Sequence, residues 1–348
     1  QDILYMGSEF LQRSMNQGET WERISGDLTN GAKEGNVAFG TISTISESKF
    51  QFGLLYAGSD DGKIHVSKDG GVSWQLISGN LPQNLWVSRV VASSHKKERV
   101  YVTLNGYRND NFESYAFVSE DFGATWTSIS NGLTQAVNVI VEDSANENIL
   151  YVGTDNGLFI SVDKGANWQD FSNGMPKVAI HDAVIQTKAK ELIVGTHGRS
   201  IYKMDISKVQ ELTKDVLAKN LHLFKVNDRT KSDRWGTQNY AWGKPSEPSQ
   251  EIWFYSNVDG IVNVSITNEA GMLVHAQKVE AKKGLNSFAY NYLLSKEVAE
   301  KWNKKDKNIK IKEAENKKFY LPVGKYKMTV SKDKVTETKS FEVTAPKK

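Results

Sequence analysis

Ser119-Glu-Asp121-Phe-Gly123-Ala-Thr-Trp126 is one copy of an octapeptide, Ser-x-Asp-x-Gly-x-x-Trp, that recurs along the chain. Ser67-Lys-Asp69-Gly-Gly71-Val-Ser-Trp74 and Ser161-Val-Asp163-Lys-Gly165-Ala-Asn-Trp168 repeat it, and Ser14-Met-Asn16-Gln-Gly18-Glu-Thr-Trp21 is a degenerate copy. The tryptophans lie 53, 52 and 42 residues apart, the spacing of a repeated sheet unit. Each copy sits between two apolar, β-rich runs, such as Gly157 to Val162 and Trp168 to Phe171. The Asp accepts hydrogen bonds from its own turn, and the Ser braces it. The Gly supplies a positive φ, and the Trp lands on the next strand between neighbouring sheets. Four near-identical copies do not make one active site, so the motif reads as a structural turn.

A second pattern runs in step with the first. Ile3-Leu-Tyr-Met-Gly7, Leu54-Leu-Tyr-Ala-Gly58, Arg99-Val-Tyr-Val-Thr103, Ile149-Leu-Tyr-Val-Gly153 and Glu191-Leu-Ile-Val-Gly195 are the same strand five times. Apolar strands at 87–92, 137–141 and 180–185 precede three of them, which predicts four strands per unit, one propeller blade. The octapeptide resembles the Asp-box, or BNR, repeat of sialidases, sortilin-type receptor ectodomains and glycosidase propellers. The stretches Trp86-Val-Ser-Arg-Val, Tyr101 to Phe112 and Gly195-Thr-His-Gly-Arg-Ser-Ile-Tyr202 resemble a secreted bacterial family abundant in Bacteroidota, sortilin-like and often labelled glycosyl hydrolase. That resemblance implies propeller ancestry for residues 1–290 and does not by itself imply hydrolysis.

The expected fold is all-β: the C-terminal blades of a β-propeller over 1–226, including a helix at about 207–219, then an aromatic-containing linker over 227–249. An immunoglobulin-like β-sandwich follows over 250–348, carrying a Lys-rich insert at 295–318. Strand-like runs from Ile252 to Val343 alternate apolar and polar residues, as half-buried sandwich strands do. The turn Asn268-Glu-Ala-Gly271 and the run Leu321-Pro-Val-Gly-Lys-Tyr326 resemble the immunoglobulin-like modules of FlgD-type C-termini, and weakly a secretion signal. A helix is expected around Lys296–Trp302. Trp235, Tyr240 and Trp242 argue against a freely flexible linker and predict packing across the propeller or between domains.

Composition narrows the function. The 348 residues include no cysteine, which excludes a disulfide framework and Cys-based chemistry. No run approaches the roughly 18 apolar residues of a membrane span. From 293 to 348 there are 16 Lys against 8 acids and no Arg, a solvated mixed surface and no nucleic-acid platform. No His-x-x-x-His pair or Cys set offers a zinc site, and no cofactor is expected; calcium at the Asp-rich turn Asp60-Asp61-Gly62 stays open, although the turn lacks the EF-hand spacing. The chain opening at Gln1 reads as a fragment. An N-terminal remainder, or another chain, is expected to complete the ring.

Candidate chemistry gathers on the face opposite the Asp-box turns. Asp60, Asp61, Trp86, Arg89, Arg108, Asp155, His181, Asp182, His197 and Arg199 belong there. Arg199 is a carboxylate or phosphate fork, and His181 with Asp182 and His197 form a proton-handling group. Each also has a plain reading: acids in Gly-containing hairpin turns, an Arg89–Asp182 pair, a Trp plug over the core. The expectation is an extracytoplasmic, secreted or cell-surface protein that binds a protein or glycan on this face. The alternative is a sialidase- or glucanase-like glycoside hydrolase, which needs two facing carboxyl groups and whose catalytic acids are expected to lie partly in an N-terminal region outside this chain.

Overall fold

The structure, a computed structural model, describes residues 2–31, 40–172, 174–238, 240, 242–307 and 309–346. The chain divides into two compact units, Gln1–Gln210 and Glu211–Lys348. The division precedes the expected boundary at 226, because strand Leu221–Leu223 pairs with Gln250–Ser256 of the second unit.

The first unit is built from successive antiparallel sheets. The first sheet contains β1 (Leu4–Gly7), β2 (Leu11–Ser14) and β3 (Glu22–Arg23). The second holds β4 (Ile42–Glu47), β5 (Leu55–Ser59), β6 (Ile64–Ser67) and β7 (Gln75–Leu76). The third holds β8 (Trp86–Ala92), β9 (Val100–Gly106), β10 (Asn111–Ser119) and β11 (Thr127–Ser128). The fourth comprises β12 (Val137–Glu142), β13 (Leu150–Thr154), β14 (Gly157–Ser161) and β15 (Gln169–Asp170). The fifth is β16 (Ile180–Gln186), β17 (Glu191–Thr196) and β18 (Ile201–Asp205). Strands neighbour one another in chain order, and β4, β8, β12 and β16 lie side by side in succession. Three four-stranded meanders arrayed this way are consistent with β-propeller blades. Among the described residues the first and fifth sheets have three strands each; the first was expected to be a partial unit, and the fifth lacks the expected fourth strand.

The repeated octapeptide closes on itself as its residues dictate. In the third sheet the Ser119 hydroxyl donates to Asp121 at 2.7 Å and accepts from the Gly123 amide at 2.7 Å. The Asp121 carboxylate accepts from the Thr125 amide and hydroxyl at 2.9 and 2.7 Å. Ser67, Asp69 and Ser73 make the same bonds, as do Ser161, Asp163 and Asn167. Hydrogen bonds from Ser73 and Thr125 pull the Asp69 and Asp121 carboxyls down to about 2. Burial pushes Asp163 up, but its bonds from Asn167 and Ser161 win and lower it.

The motif also locks neighbouring sheets together. Trp74 donates its indole N–H to the carbonyl of Ile24 at 2.9 Å, Trp126 to Ile77 at 2.8 Å and Trp168 to Ile129 at 2.6 Å. Each acceptor lies three residues after the tryptophan of the preceding copy. The same isoleucine fills the space beside the motif glycine: a Cβ on Gly123 would stand 2.4 Å from Ile77 Cδ1. So Gly71, Gly123 and Gly165 serve close approach as well as positive φ, at 96°, 88° and 88°. Burial of the rings is less complete than expected. Trp74, Trp126 and Trp168 are half-buried and Trp21 is 39% exposed.

A second interlock uses the strand tyrosines. Tyr5 donates to Glu47 of the second sheet, and Tyr101 donates to Glu142 of the fourth, both at 3.0 Å. In the third sheet Ala92 ends β8 where Glu47 and Glu142 end β4 and β12, and the buried Tyr56 hydroxyl has no hydrogen-bond partner among the described residues. An unmet buried hydroxyl costs about 1–3 kcal/mol. Tyr56→Phe should therefore leave stability unchanged or raise it, while Tyr101→Phe should lower it by about 1 kcal/mol in urea unfolding.

Helix α1 (Ser207–Gln210) ends the first unit and α2 (Lys214–Leu217) begins the second. One continuous helix was expected over about 207–219. Thr213 instead has extended backbone and caps α2, its hydroxyl accepting from the Val216 amide. The second unit has a three-stranded sheet of β19 (Leu221–Leu223), β21 (Gln250–Ser256) and β24 (Gly284–Tyr290), in that order, and a five-stranded sheet. The latter contains β20 (Arg229–Thr230), β28 (Val335–Thr344), β27 (Gly324–Lys332), β22 (Gly260–Asn268) and β23 (Leu273–Ala281). Both sheets feed one core that includes Phe254, Val264, Met328 and Phe341. Helix α3 (Lys296–Lys305), capped by Ser295, adds Trp302 to that core, slightly longer than expected. The segment expected as a linker is partly built in: Arg229–Thr230 is a strand, and Trp235 is buried against Tyr292 and Tyr320. Tyr240 and Trp242 stack on each other and stay exposed, against the expected packing.

Candidate functional site

The first strand of the second, third, fourth and fifth sheets carries a register shift at the same place, opposite the end of the following strand. The extra residue is Ser43, Ser88, Asn138 or His181. A bulge bends its strand and re-aims a side chain. Ser43 donates to the carbonyl of Val87 at 2.8 Å and Ser88 to that of Val137 at 2.9 Å, each reaching the next sheet. Asn138 accepts from Asn105 at 2.7 Å and donates to Asp155 at 2.8 Å. The bulges thus form a polar seam along the innermost strands. His181, last in the series, is exposed with its ring 5.2 Å from that of His197.

The structure brings the expected site residues into two groups. Trp86 opens β8, and Tyr107 and Arg108 lie in a single 3-10 turn between β9 and β10. The Trp86 and Tyr107 rings meet edge-on, 6.0 Å apart. The Arg108 guanidinium lies 5.5 Å from the Trp86 centroid and 5.8 Å from that of Tyr107, within cation–π range. It also bonds Asp60 at 3.2 Å, and its bonds to Tyr107 and Asp60 raise its pKa. This surface combines flat apolar rings, a fixed cation and the half-exposed Trp86 edge.

In the other group, Arg89 and Asp182 form an ion pair at 2.6 Å that joins the third sheet to the fifth. His181 stands beside Asp182 on β16, and His197 lies in the turn that follows β17, its ring near that of His181. Arg199 is exposed, with no partner among the described residues. No three His, Cys, Asp or Glu gather in a metal-holding group among the described residues.

Asp60 and Asp61 do a different job from the one their turn suggested. Asp60 accepts from the Gly40 and Thr41 amides at 3.0 and 2.9 Å, and Asp61 from the Asn30 amide at 2.7 Å and the Ser59 hydroxyl. Both are buried, and they hold Asn30 on one side and Gly40 and Thr41 on the other of residues 32–39, which lie outside the described residues. Each expected carboxylate therefore has a partner: Arg108 and amides for Asp60, amides and a hydroxyl for Asp61, Asn138 for Asp155, and Arg89 for Asp182. Tyr107 stands outside the expected channel-face set, and its ring completes the aromatic surface. Its place beside Trp86 depends on the β9–β10 turn, and only its adjacency to Arg108 was visible in the sequence.

His65, on β6 below Asp61, is a group that the sequence reading missed. Burial, then nearby Lys63, lowers its pKa from 6.5 to about 4, and its Nδ1 has no partner. The folded state binds this proton less readily than the unfolded chain. Its contribution to stability is complete above pH 6.5 and falls away as pH drops toward 4. Asp69 and Asp121 extend the loss from about 4 toward 2. Melting temperature should fall in both windows, and His65→Leu should flatten the upper one only.

Residues 9–137 match the protein-family model described as Sortilin, neurotensin receptor 3, which supports a sortilin-like propeller. No curated protein matches the chain. Among solved structures, it is similar to an ancestral GH74 enzyme, with 16% identity and a TM-score of 0.46 over 84% of this chain and 37% of that one. It is similar to the GH74 xyloglucanase from Xanthomonas campestris, with 11% identity and a TM-score of 0.46 over 98% and 52%. A GH74 enzyme of Niastella koreensis shows 17% identity and a TM-score of 0.45 over 97% and 55%. The chain therefore spans between 37% and 55% of the length of these structures. Among the described residues no helix is long and apolar enough to cross a membrane.

Proposed function

We propose that this chain is part of an extracytoplasmic, sortilin-like propeller protein that recognises a protein or glycan ligand and is not itself a catalyst. On this reading the second unit is an immunoglobulin-like sandwich. The observation that carries the proposal is the Trp86, Tyr107 and Arg108 cluster: edge-packed rings with a guanidinium beside both. Such a surface offers stacking area and charge-assisted hydrogen bonds without a reacting group. The carboxylates nearby are committed to amides, amide side chains and arginines, which supports recognition over general acid–base work.

Glycan-array screening and affinity capture would find the ligand, and calorimetry would weigh the residues. Trp86→Ala and Arg199→Ala should each weaken binding by about 1.5–3 kcal/mol, with folding little changed. Turnover of a glycan that disappears with Asp60→Asn, Asp155→Asn or Asp182→Asn would contradict the proposal, since a glycosidase loses its chemistry with either carboxyl of its pair.

A further inference from the structure

The Asp-box interlock has two halves. One sheet supplies the glycine and the tryptophan; the preceding sheet supplies an aliphatic side chain and a carbonyl. The second, third and fourth sheets each find the second half at Ile24, Ile77 and Ile129. The first sheet carries a fully formed box with no such counterpart. Ser14 donates to Asn16 at 2.9 Å and accepts from the Gly18 amide at 2.7 Å, so the turn is intact. Yet a Cβ on Gly18 would meet only Leu4 and Trp21 of its own sheet, at 3.6 and 3.8 Å. The Trp21 indole N–H has no acceptor among the described residues.

The same deficit appears along β1. Leu4 is 44% exposed, whereas its equivalents Leu55, Val100 and Leu150 are 0% exposed. Met6 is 45% exposed, whereas Ala57, Val102 and Val152 are at most 1% exposed. In the inner sheets these positions face the preceding sheet. The first sheet also lacks the innermost strand that β4, β8, β12 and β16 provide to the others, so one edge of β1 is open among the described residues.

We propose that the outer face of the first sheet, around Leu4, Met6, Gly18 and Trp21, is the docking surface for one further sheet of the same repeat, carried by polypeptide outside these 348 residues. That sheet sets an aliphatic side chain against Gly18 and a main-chain carbonyl against the Trp21 indole. A second copy of this chain does not meet the requirement. In the first, second and third sheets the docking residue follows the outermost strand, at Ile24, Ile77 and Ile129. The fifth sheet has no such strand; β18 runs into α1. Phe171, the corresponding residue of the fourth sheet, lies on a sheet already covered by β16.

Site-specific photocross-linking tests this. A benzophenone side chain replaces Leu4 or, separately, Met6 in the full chain made by its native host, and captured peptides are sequenced by mass spectrometry. Both positions should capture a peptide that bears the Ser-x-Asp-x-Gly-x-x-Trp repeat with an aliphatic residue three places after its tryptophan. Adding Trp21→Ala should lower the yield. Circular dichroism reports folding, and either position alone decides the matter if the other variant misfolds. Capture of another copy of this chain, of a polypeptide without the repeat, or of nothing overturns the proposal.

Discussion

Glu142→Ala is expected to cost about 3–5 kcal/mol, the range for removing one side of a buried pair. Glu142 ends β12 with its side chain almost wholly enclosed, and the third sheet converges on it. Ser93 donates its hydroxyl at 2.9 Å, the Ser94 amide donates at 2.5 Å, and Tyr101 donates at 3.0 Å. Arg99, only 5% exposed, reaches it at 3.4 Å. Alanine leaves the Tyr101 and Ser93 hydroxyls and the Ser94 amide without their acceptor in an interior that water does not enter. Arg99 keeps Glu120 at 2.6 Å and Glu147 at 3.1 Å, which places the loss at the lower end of that range. Glu142→Gln keeps an acceptor oxygen and should cost clearly less. Denaturant unfolding of the three proteins measures the difference. A loss under about 0.5 kcal/mol for Glu142→Ala, the scale of a plain surface change, would remove this network from the account.

Trp126→Ala should cost about 3 kcal/mol, toward the low end for a large aromatic because the ring is half-buried. The substitution removes the indole bond to Ile77 and the ring that packs against the second and third sheets. Trp21→Ala, at the same place in the repeat, should cost less than about 1 kcal/mol in the isolated chain, because no preceding sheet meets it. The contrast between identical substitutions in two copies of one motif is the informative result. Equal losses would mean that the tryptophans stabilise only their own turns.

The octapeptide turns were legible in the sequence because their bonds are local. Ser119, Asp121, Gly123 and Thr125 lie within seven residues, and their geometry follows from side-chain chemistry alone. The recurrence of the Tyr-containing strand gave the sheet repeat for the same reason. What was hidden depends on partners distant in sequence. The Tyr101–Glu142 bond spans 41 residues and the Arg89–Asp182 pair spans 93. The bulges at Ser43, Ser88, Asn138 and His181 are properties of pairing register, which one strand does not reveal. Asp60 and Asp61 looked like open turn acids because a carboxylate in a Gly-containing hairpin serves equally as a ligand or an anchor; only the Gly40, Thr41 and Asn30 amides decide it. The break between α1 and α2 was missed because an apolar spacing continues across Thr213, whose extended backbone ends the helix.

The architecture gives the repeated octapeptide to sheet-to-sheet locking, and on the function proposed above the opposite face serves recognition. Hydrogen exchange of the tryptophan indole N–H groups, resolved by NMR, tests that division most directly. The N–H groups of Trp74, Trp126 and Trp168, held by Ile24, Ile77 and Ile129, should exchange slowly and lose protection together as denaturant opens the sheets. That of Trp21 should exchange fast under all conditions in the isolated chain. Four indoles that exchange alike, or fast exchange at Trp126 in the folded protein, would contradict the account.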